Sequence, residues 1–268
     1  MSLRIDLLVA AATLIGCDGG GGFPDAPQDP PERGGTFTLA WTVTDSANNN
    51  QLISCDRVGA QNVAVELRSH QTANAFHDSF GCSGGKSTSG IIPAGTYDLT
   101  IELTGIFGTL ATVEQVNIAI AESQDTALEP VLFAVDAHGA LAMHLDTQRP
   151  GGNCGAISAN GAGITAMTLT LQHASGGCEP LTLTIAPGAT KPGGTYTINC
   201  ASPQVAPCIE DDQALTAGNV PSDGYKITVR GKIGATNCWV NDDALQVPPL
   251  GKTLTQTFNL AKLATPGC

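Results

Sequence analysis

The sequence predicts an all-β protein with two β-sandwiches in tandem. Apolar and polar residues alternate with a period of two in many short segments, a pattern typical of strands with one buried face. No segment keeps a helical period over its length. The second half of the chain repeats the order of features found in the first half, which indicates two copies of one module.

The N-terminus has the features of an export signal. Residues 7–16 are predominantly apolar and follow Arg4. This stretch is too short to span a membrane as a helix, which needs about 20 residues, but it fits a signal peptide, whose apolar region has about 7–15. It ends in the motif LIGC at positions 14–17, which resembles the bacterial lipobox. The resemblance implies that Cys17, at the end of the 1–17 signal region, carries a diacyl lipid with palmitate and anchors the protein to a membrane.

Residues 18–35 are expected to form a linker between this signal and the folded part. They contain a run of glycines and several prolines, with acidic residues between the prolines. Glycine makes such a segment flexible and proline extends it, while its low apolar content prevents a packed core. We therefore expect a tether that holds the folded part away from the membrane.

The charge balance and the cysteine content restrict the environment of the protein. Aspartate and glutamate together number 24 against 12 lysines and arginines, so the net charge is −12. Because this charge repels phosphate backbones, nucleic acid is excluded as a partner. Of the 9 cysteines, all except Cys17 form an even set, which in an exported protein predicts four disulfide bonds. The sequence contains no Cys-x-x-Cys pair, so a cysteine-held metal is not expected.

Residues 36–135 are expected to form the first sandwich. Its first strand has one apolar face, which comprises Phe37, Leu39, Trp41 and Val43. A polar, asparagine-rich turn follows at 45–50. The same alternation predicts further strands at 63–67, 75–80, 96–103, 110–120 and 128–135. About seven short strands separated by turns in ~100 residues are typical of a β-sandwich.

Residues 136–268 are expected to form the second sandwich, with a hinge at 136–139. The strand predicted at 141–145 corresponds to the segment 39–43 of the first copy. Both copies then contain a proline followed four residues later by a tyrosine, namely Pro93 with Tyr97 and Pro221 with Tyr225. Before this proline the second copy is longer than the first, and the additional residues contain a predicted hairpin of strands 181–186 and 195–199.

The segment IPAGTYDLTI at positions 92–101 has a proline, a glycine and a tyrosine before an alternating strand. It resembles the signature of carboxypeptidase-regulatory-like and collagen-adhesin B-type repeats, which are immunoglobulin-like or prealbumin-like sandwiches of bacterial surface proteins. The second copy departs from it, with SDG at 222–224 where the first has AGT at 94–96. The tandem arrangement is also similar to predicted lipoproteins of predatory and gliding bacteria. The resemblance implies a stalk, adhesion or accessory role and brings no catalytic residues.

The repeat narrows the possible disulfide pairings. If the sandwiches fold separately, Cys55 must bond to Cys82, because these are the two cysteines of the first copy. The six cysteines of the second copy allow many pairings. In the alignment of the copies Cys154 matches Cys55, and Cys208 is the better match to Cys82. We therefore expect the bond Cys154–Cys208.

The two remaining bonds of the second sandwich follow from the predicted hairpin. Cys178 and Cys200 flank it, and a turn centred on Ala189 would place them opposite each other across antiparallel strands. Cys238 and Cys268 then remain for the fourth bond. That bond would hold a terminal strand that could otherwise fray.

Histidines and carboxylates offer one candidate metal site. Asp136, His138, His144 and Asp146 have even spacings, so a single strand would carry all four on one face, as ligands for Zn or Cu. The alternative is that they are the polar face of a strand whose other side is buried. The acidic segments 45–50, 210–212 and 241–243 are candidates for Ca²⁺, although none has EF-hand spacing and the alternative is solvated loops.

The sequence predicts a non-enzymatic protein of the bacterial cell envelope. No helix is predicted that could follow a serine-hydrolase elbow or a phosphate-binding loop. We expect the sandwiches to stand on the periplasmic or cell-surface face of a membrane and to bind a protein or glycan partner through their loops, without a cofactor. The alternative is an accessory lipoprotein that carries a metal (Ca or Zn/Cu) or a small ligand.

Overall fold

The computed structural model describes residues 33–268. The predicted signal region with Cys17, and most of the predicted linker, lie outside this range. Residues Gly34–Cys268 form one compact unit of strands and connecting loops. The helices among them are three short 3₁₀ turns, Asp56–Val58, Cys82–Gly84 and Ile157–Ala159, so the all-β prediction is confirmed. Within 33–268 no helix has the length and apolar character needed to cross a membrane.

The first sandwich contains ten strands, of which four are long. Their bounds are β1 Gly34–Asp45, β2 Gln51–Leu52, β3 Ala60–Ser69, β4 Ala75–Gly81, β5 Lys86–Thr88, β6 Ile92–Pro93, β7 Gly95–Gly105, β8 Gly108–Ile120, β9 Asp125–Ala127 and β10 Val131–Val135.

The second sandwich also contains ten strands. Their bounds are β11 His138–Asp146, β12 Ala166–His173, β13 Leu181–Ile185, β14 Gly194–Ile198, β15 Ala206–Pro207, β16 Leu215–Pro221, β17 Gly224–Ile233, β18 Thr236–Gln246, β19 Thr253–Asn259 and β20 Ala261–Lys262.

In the first sandwich, β1 runs along the middle of one sheet. It pairs in parallel with β9 and β10 and in antiparallel fashion with β2, β5 and β6. The facing sheet has the antiparallel order β4-β3-β7-β8. The inward residues of both sheets form one hydrophobic cluster, in which Phe37 and Leu39 of β1 and Leu67 and Ile101 of the facing sheet are fully buried. The alternation of apolar and polar residues therefore builds this core.

The second sandwich pairs two five-stranded sheets. Their orders are β14-β13-β16-β11-β19 and β15-β12-β17-β18-β20. Met143 of β11, Leu169 of β12 and Ile227 of β17 are fully buried in a second hydrophobic cluster between the sheets. The predicted hairpin is formed by β13 and β14, with Leu181 opposite Ile198.

The two sandwiches share features beyond their strand alternation. The first strand of each pairs in parallel with a late strand, β1 with β10 and β11 with β19. Each has a tyrosine near the start of a central strand that donates a hydrogen bond to the carbonyl oxygen of the proline four residues earlier. The distances are 2.7 Å from Tyr97 to Pro93 and 2.8 Å from Tyr225 to Pro221. This contact resembles the tyrosine corner of β-sandwiches and explains why the proline-to-tyrosine spacing is equal in both halves.

Two residues, Asp136 and Ala137, connect the sandwiches. Ala137 is fully buried in the hydrophobic cluster of the first sandwich. The side chains of Ser222 and Gln246, from the second sandwich, donate hydrogen bonds to the backbone carbonyl of Arg57 at 3.1 and 3.3 Å. The connection is therefore short, partly buried and supported by contacts on either side.

Two local expectations differ from the structure. Half of the predicted hinge at 136–139 is strand, because β11 begins at His138. The acidic segment 241–243, expected as a loop, lies inside β18 and pairs with β17. Arg230 on β17 forms an ion pair of 3.0 Å with Asp242 across the two strands, and this pairing allows acidic residues at these strand positions.

Candidate functional site

Eight cysteines form four disulfide bonds, and the bonded pairs are the ones that the sequence predicts. They are Cys55–Cys82, Cys154–Cys208, Cys178–Cys200 and Cys238–Cys268. The Cα atoms of the pairs lie between 5.3 and 6.1 Å apart, inside the range of about 4.4–6.8 Å that a disulfide requires. Within residues 33–268, every thiol is therefore oxidised, and none is left as a nucleophile or a metal ligand.

A group of three potential metal ligands lies at the junction of the sandwiches and consists of Asp45, Asp136 and His138. Each offers one ligand atom, and these atoms all lie within 4.8 Å of one another. Asp45 ends β1, Asp136 belongs to the connection, and His138 begins β11. In the parallel pair of β1 and β10, Asp45 lies opposite Val135, so the next residues of the chain pass close to its carboxylate.

The Asp45 carboxylate is buried, with 1% of the residue exposed. Its Oδ1 accepts hydrogen bonds from the backbone N–H groups of Ala47 at 3.1 Å and Ala137 at 3.2 Å. Its buried Oδ2 has no hydrogen-bond partner among the residues that the structure describes. A buried carboxylate oxygen without a hydrogen-bond donor is unfavourable, so this atom indicates a position for a cation.

Asp136 and His138 form the more open side of this junction cluster. Oδ1 of Asp136 accepts a hydrogen bond from the backbone N–H of His138 at 3.1 Å and lies 3.2 Å from Nδ1 of its ring. The two side chains are 46% and 21% exposed. Backbone N–H groups of Leu250 and Gly251 donate to the carbonyl oxygens of Asp136 and His138, both at 2.9 Å. The main chain of this side is therefore fixed, while its side chains reach solvent.

The four residues predicted as one metal site on the β11 strand do not come together. His138, His144 and Asp146 share one face of β11, as expected. A strand rises about 3.3 Å per residue, however, which separates His144 from His138 by about 20 Å. Nδ1 of His144 lies 3.2 Å from the carbonyl oxygen of Asp211, and Asp146 accepts a hydrogen bond from the backbone N–H of Gln148 at 2.6 Å. Even spacing selects a face of a strand, but only close positions on that face can share an ion.

Sequence reasoning places Asp45 in a turn and omits it from the histidine site. The structure shows that it continues the inward alternation of β1, after Phe37, Leu39, Trp41 and Val43. Asp45 can be recognised in the sequence as a carboxylate at the next inward position after the apolar residues of β1.

The acidic segment 210–212, considered for Ca²⁺, already binds backbone groups of the protein. Oε2 of Glu210 accepts a hydrogen bond from the N–H of Cys154 at 3.0 Å, and Oδ2 of Asp212 accepts one from the N–H of Ala189 at 2.6 Å. Both bonds hold the loop against neighbouring segments. This agrees with a structural use of these carboxylates.

A further histidine, His173, lies between two carboxylates. Its Nδ1 is 2.8 Å from Asp223 and its Nε2 is 3.0 Å from Glu179. Its ring packs against the ring of Tyr225 with the centroids 4.8 Å apart. Burial raises the pKa of Tyr225, and the charges of Glu179 and Asp223 raise that pKa further. The phenol therefore keeps its proton and donates a hydrogen bond to the carbonyl oxygen of Pro221. The cluster around His173 thus supports the tyrosine corner.

Residues 81–85 have the Gly-x-Ser-x-Gly spacing of a serine-hydrolase elbow. Such an elbow requires a turn from a strand into a helix. Here the 3₁₀ turn Cys82–Gly84 is followed by β5, and Cys82 is bonded to Cys55. The spacing therefore belongs to a disulfide-bonded turn between two strands.

The fold and the cysteine pairing define a disulfide-bonded protein with two β-sandwiches. No family model matches the chain, and no curated protein matches it.

Similar solved structures include a TIE protein and two pilins. The Bacillus anthracis TIE protein has 12% sequence identity and a TM-score of 0.37, covering 85% of this chain and 34% of that chain. The minor pilin GBS52 of Streptococcus agalactiae has 10% identity and a TM-score of 0.28, with 87% and 98% covered. The major pilin of Streptococcus pyogenes has 12% identity and a TM-score of 0.26, with 85% and 99% covered. This chain spans about a third of the length of the TIE protein, and at these TM-scores the likenesses assign neither a family nor a function.

Proposed function

We propose that the chain is a bacterial cell-envelope lipoprotein that acts without catalysis. A lipid on Cys17 anchors it to a membrane, at the periplasmic or cell-surface face. Two tandem sandwiches, which are copies of one module, present their surfaces to a protein or glycan partner. The role is structural, adhesive or accessory.

The pairing of the cysteines carries this proposal. The eight cysteines of the described residues are all joined in disulfides. Such bonds persist in exported proteins and are rare in the cytosol, where thiols are kept reduced. Because these eight pair with one another, none of them is a partner for Cys17. Lipid attachment is the use that its position after an apolar signal region favours.

Two common features support the duplication of one module. Parallel pairing of the first strand with a late strand occurs in both sandwiches. The tyrosine corner also recurs with the same spacing, at Tyr97 and at Tyr225. A single ancestral sandwich, with a hairpin added in the second copy, accounts for both.

The outer face of the sheet β4-β3-β7-β8 offers a surface for a partner. A depression of about 610 Å³ lies there, and its lining includes Glu66, His77 and Glu102. Carboxylates and an imidazole on an open strand face can bind sugar hydroxyls or basic side chains by hydrogen bonds. The net charge of −12 also favours a neutral or basic partner.

The lipid anchor is tested by metabolic labelling with an alkyne fatty acid in a bacterial host. The full chain should be labelled and sediment with membranes, and Cys17→Ser should abolish the label. Gly16→Ala is the matched control, because it keeps a small residue before Cys17 and should keep the label. Equal labelling and sedimentation of Cys17→Ser would contradict the proposal.

A further inference from the structure

We propose that the junction cluster of Asp45, Asp136 and His138 binds one divalent transition-metal ion, for which Zn²⁺ is the fitting example. The ion would fix the start of the second sandwich to the end of the first strand of the first sandwich. This goes beyond the proposed function, which requires no metal, and it can fail without affecting the lipid anchor.

The need for a cation arises at Asp45. Its residue is 1% exposed, and its Oδ2 lacks a hydrogen-bond partner among residues 33–268. Its carboxylate is one of three groups whose ligand atoms lie within 4.8 Å of one another. The burial of Asp45 distinguishes it from an acidic residue in a solvated loop, which needs no ion. A bound cation would complete the coordination of this oxygen.

The ligand types select the class of metal. Two carboxylates and one imidazole suit Zn²⁺ and related transition metals, whereas Ca²⁺ takes six to eight oxygen ligands. Bonds of ~2.1 Å place the ligand atoms of a tetrahedral Zn²⁺ about 3.4 Å apart. Rotation of the partly exposed side chains of Asp136 and His138 would close the present spacing to that distance. The fourth position would face solvent and take a water.

The surroundings already orient the ligands. Two backbone N–H groups, from Ala47 and Ala137, hold the Oδ1 of Asp45 and so direct the carboxylate. Hydrogen bonds of this kind around metal-binding carboxylates fix their geometry and raise affinity. The carbonyl oxygens of Asp136 and His138 are held by N–H groups of the loop before β19. The least mobile ligand is therefore the buried one, and the open side adjusts to the ion.

The position of the cluster gives the ion a mechanical role. Asp45 belongs to β1 of the first sandwich, and His138 begins β11 of the second. The metal ion would thus connect the two sandwiches through its ligands, in addition to the two-residue peptide connection. Because the ion binds the folded state, it would also stabilise the protein against unfolding.

The test is calorimetric titration of the full chain, purified in detergent and stripped of metal, with Zn²⁺. Asp45→Asn keeps the shape of the carboxylate and removes its charge, and His138→Gln removes the imidazole. The matched control is His144→Gln, which removes a histidine from the same face of the same strand outside the cluster. Co²⁺ absorption spectra report the ligand geometry in each protein.

We expect one Zn²⁺ per chain, and an affinity at least about tenfold weaker in Asp45→Asn and His138→Gln. His144→Gln should bind Zn²⁺ as the unchanged chain does, and Ca²⁺ should not compete. No saturable binding of Zn²⁺, or equal binding by His138→Gln, would overturn the proposal, as would a loss in His144→Gln as large as in His138→Gln. If Asp45→Asn does not fold, His138→Gln decides, because its partly exposed side chain lies outside both hydrophobic clusters.

Discussion

At the scale of single residues, two buried tyrosine hydroxyls fix the backbone at the start of a central strand in each sandwich. Tyr225 is 1% exposed, and its hydroxyl donates a hydrogen bond to Pro221. Tyr97 makes the equivalent bond in the first sandwich. A buried hydroxyl retains such a bond because its loss leaves an unsatisfied carbonyl, at a cost of about 1–3 kcal/mol. The hydroxyls therefore fix the chain where it enters a central strand.

Tyr225 should make stability depend on pH in the alkaline range. Burial raises its pKa in the folded protein, while an unfolded tyrosine titrates near about 10. Below the unfolded pKa the contribution of the group to stability is complete, and it is lost as the pH rises from there towards the folded pKa. Tyr225→Phe should therefore lower stability at neutral pH by about 1 kcal/mol but flatten its decline above about pH 10. Denaturant unfolding across this pH range measures both, and an unchanged slope would contradict the assignment.

Gly139 is the glycine whose replacement should affect the junction most directly. A Cβ at this position would overlap the backbone carbonyl oxygen of Pro248 and approach that of Lys252. Backbone cannot move aside as a flexible side chain can, so Gly139→Ala should destabilise the protein by about 1–3 kcal/mol. Gly218 on the neighbouring strand β16 has nothing within 4 Å of its Cβ position, so Gly218→Ala serves as the matched control. Equal unfolding midpoints for the two variants would refute this explanation.

At the scale of elements, the period-two alternation identifies the long strands well. The segments predicted at 63–67 and 96–103 lie within β3 and β7, because each has one face towards the core and one towards solvent. Alternation does not identify a strand where consecutive residues are all polar, as around Asp242 of β18. There the strand position of the acidic residue is stabilised by an ion pair with Arg230 of β17. Alternation also selects only the face of a strand. The spacing of six residues between His138 and His144 corresponds to about 20 Å, so these two histidines share a face but cannot share an ion.

The Cys238–Cys268 bond should hold the C-terminal segment against β18. It closes a separation of 30 residues and brings the last residue of the chain to a strand of the core. Replacing both cysteines with alanine should lower the free energy of unfolding by about 3 kcal/mol, because the unfolded chain is no longer constrained. Carboxypeptidase should also release the terminal residues faster. If digestion and unfolding are unchanged, the bond does not anchor this end.

At the scale of the whole molecule, two cores lie within one compact unit. The sequence predicts two modules from the repeat of their features and a hinge between them at 136–139, but it does not predict the contacts made at this junction. The contact of Ser222 with Arg57 joins residues that are far apart in sequence. The burial of Ala137 in the first core has no signal in the sequence, because an alanine there fits a solvent-exposed connection equally well. The same holds for the junction cluster, because the pairing of β1 with β10 brings Asp45 beside Asp136.

The first sandwich should fold alone when its core is complete. A fragment of residues 33–138 retains Ala137 and the N–H group that binds Asp45, so it should unfold cooperatively. A fragment that ends at Val135 lacks both and should be less stable. Circular dichroism during denaturant unfolding compares the two. An unfolded 33–138 fragment would show that the second sandwich is needed to complete the first.

The central claim is an exported, lipid-anchored protein with four disulfides, and intact mass spectrometry of the protein from bacterial membranes tests it most directly. The sample is alkylated before and after reduction. The account predicts a chain that begins at Cys17 and carries a diacyl lipid, with no alkylated thiol before reduction and eight after it. A chain that begins at Met1 without lipid, or any thiol that is alkylated before reduction, would contradict it.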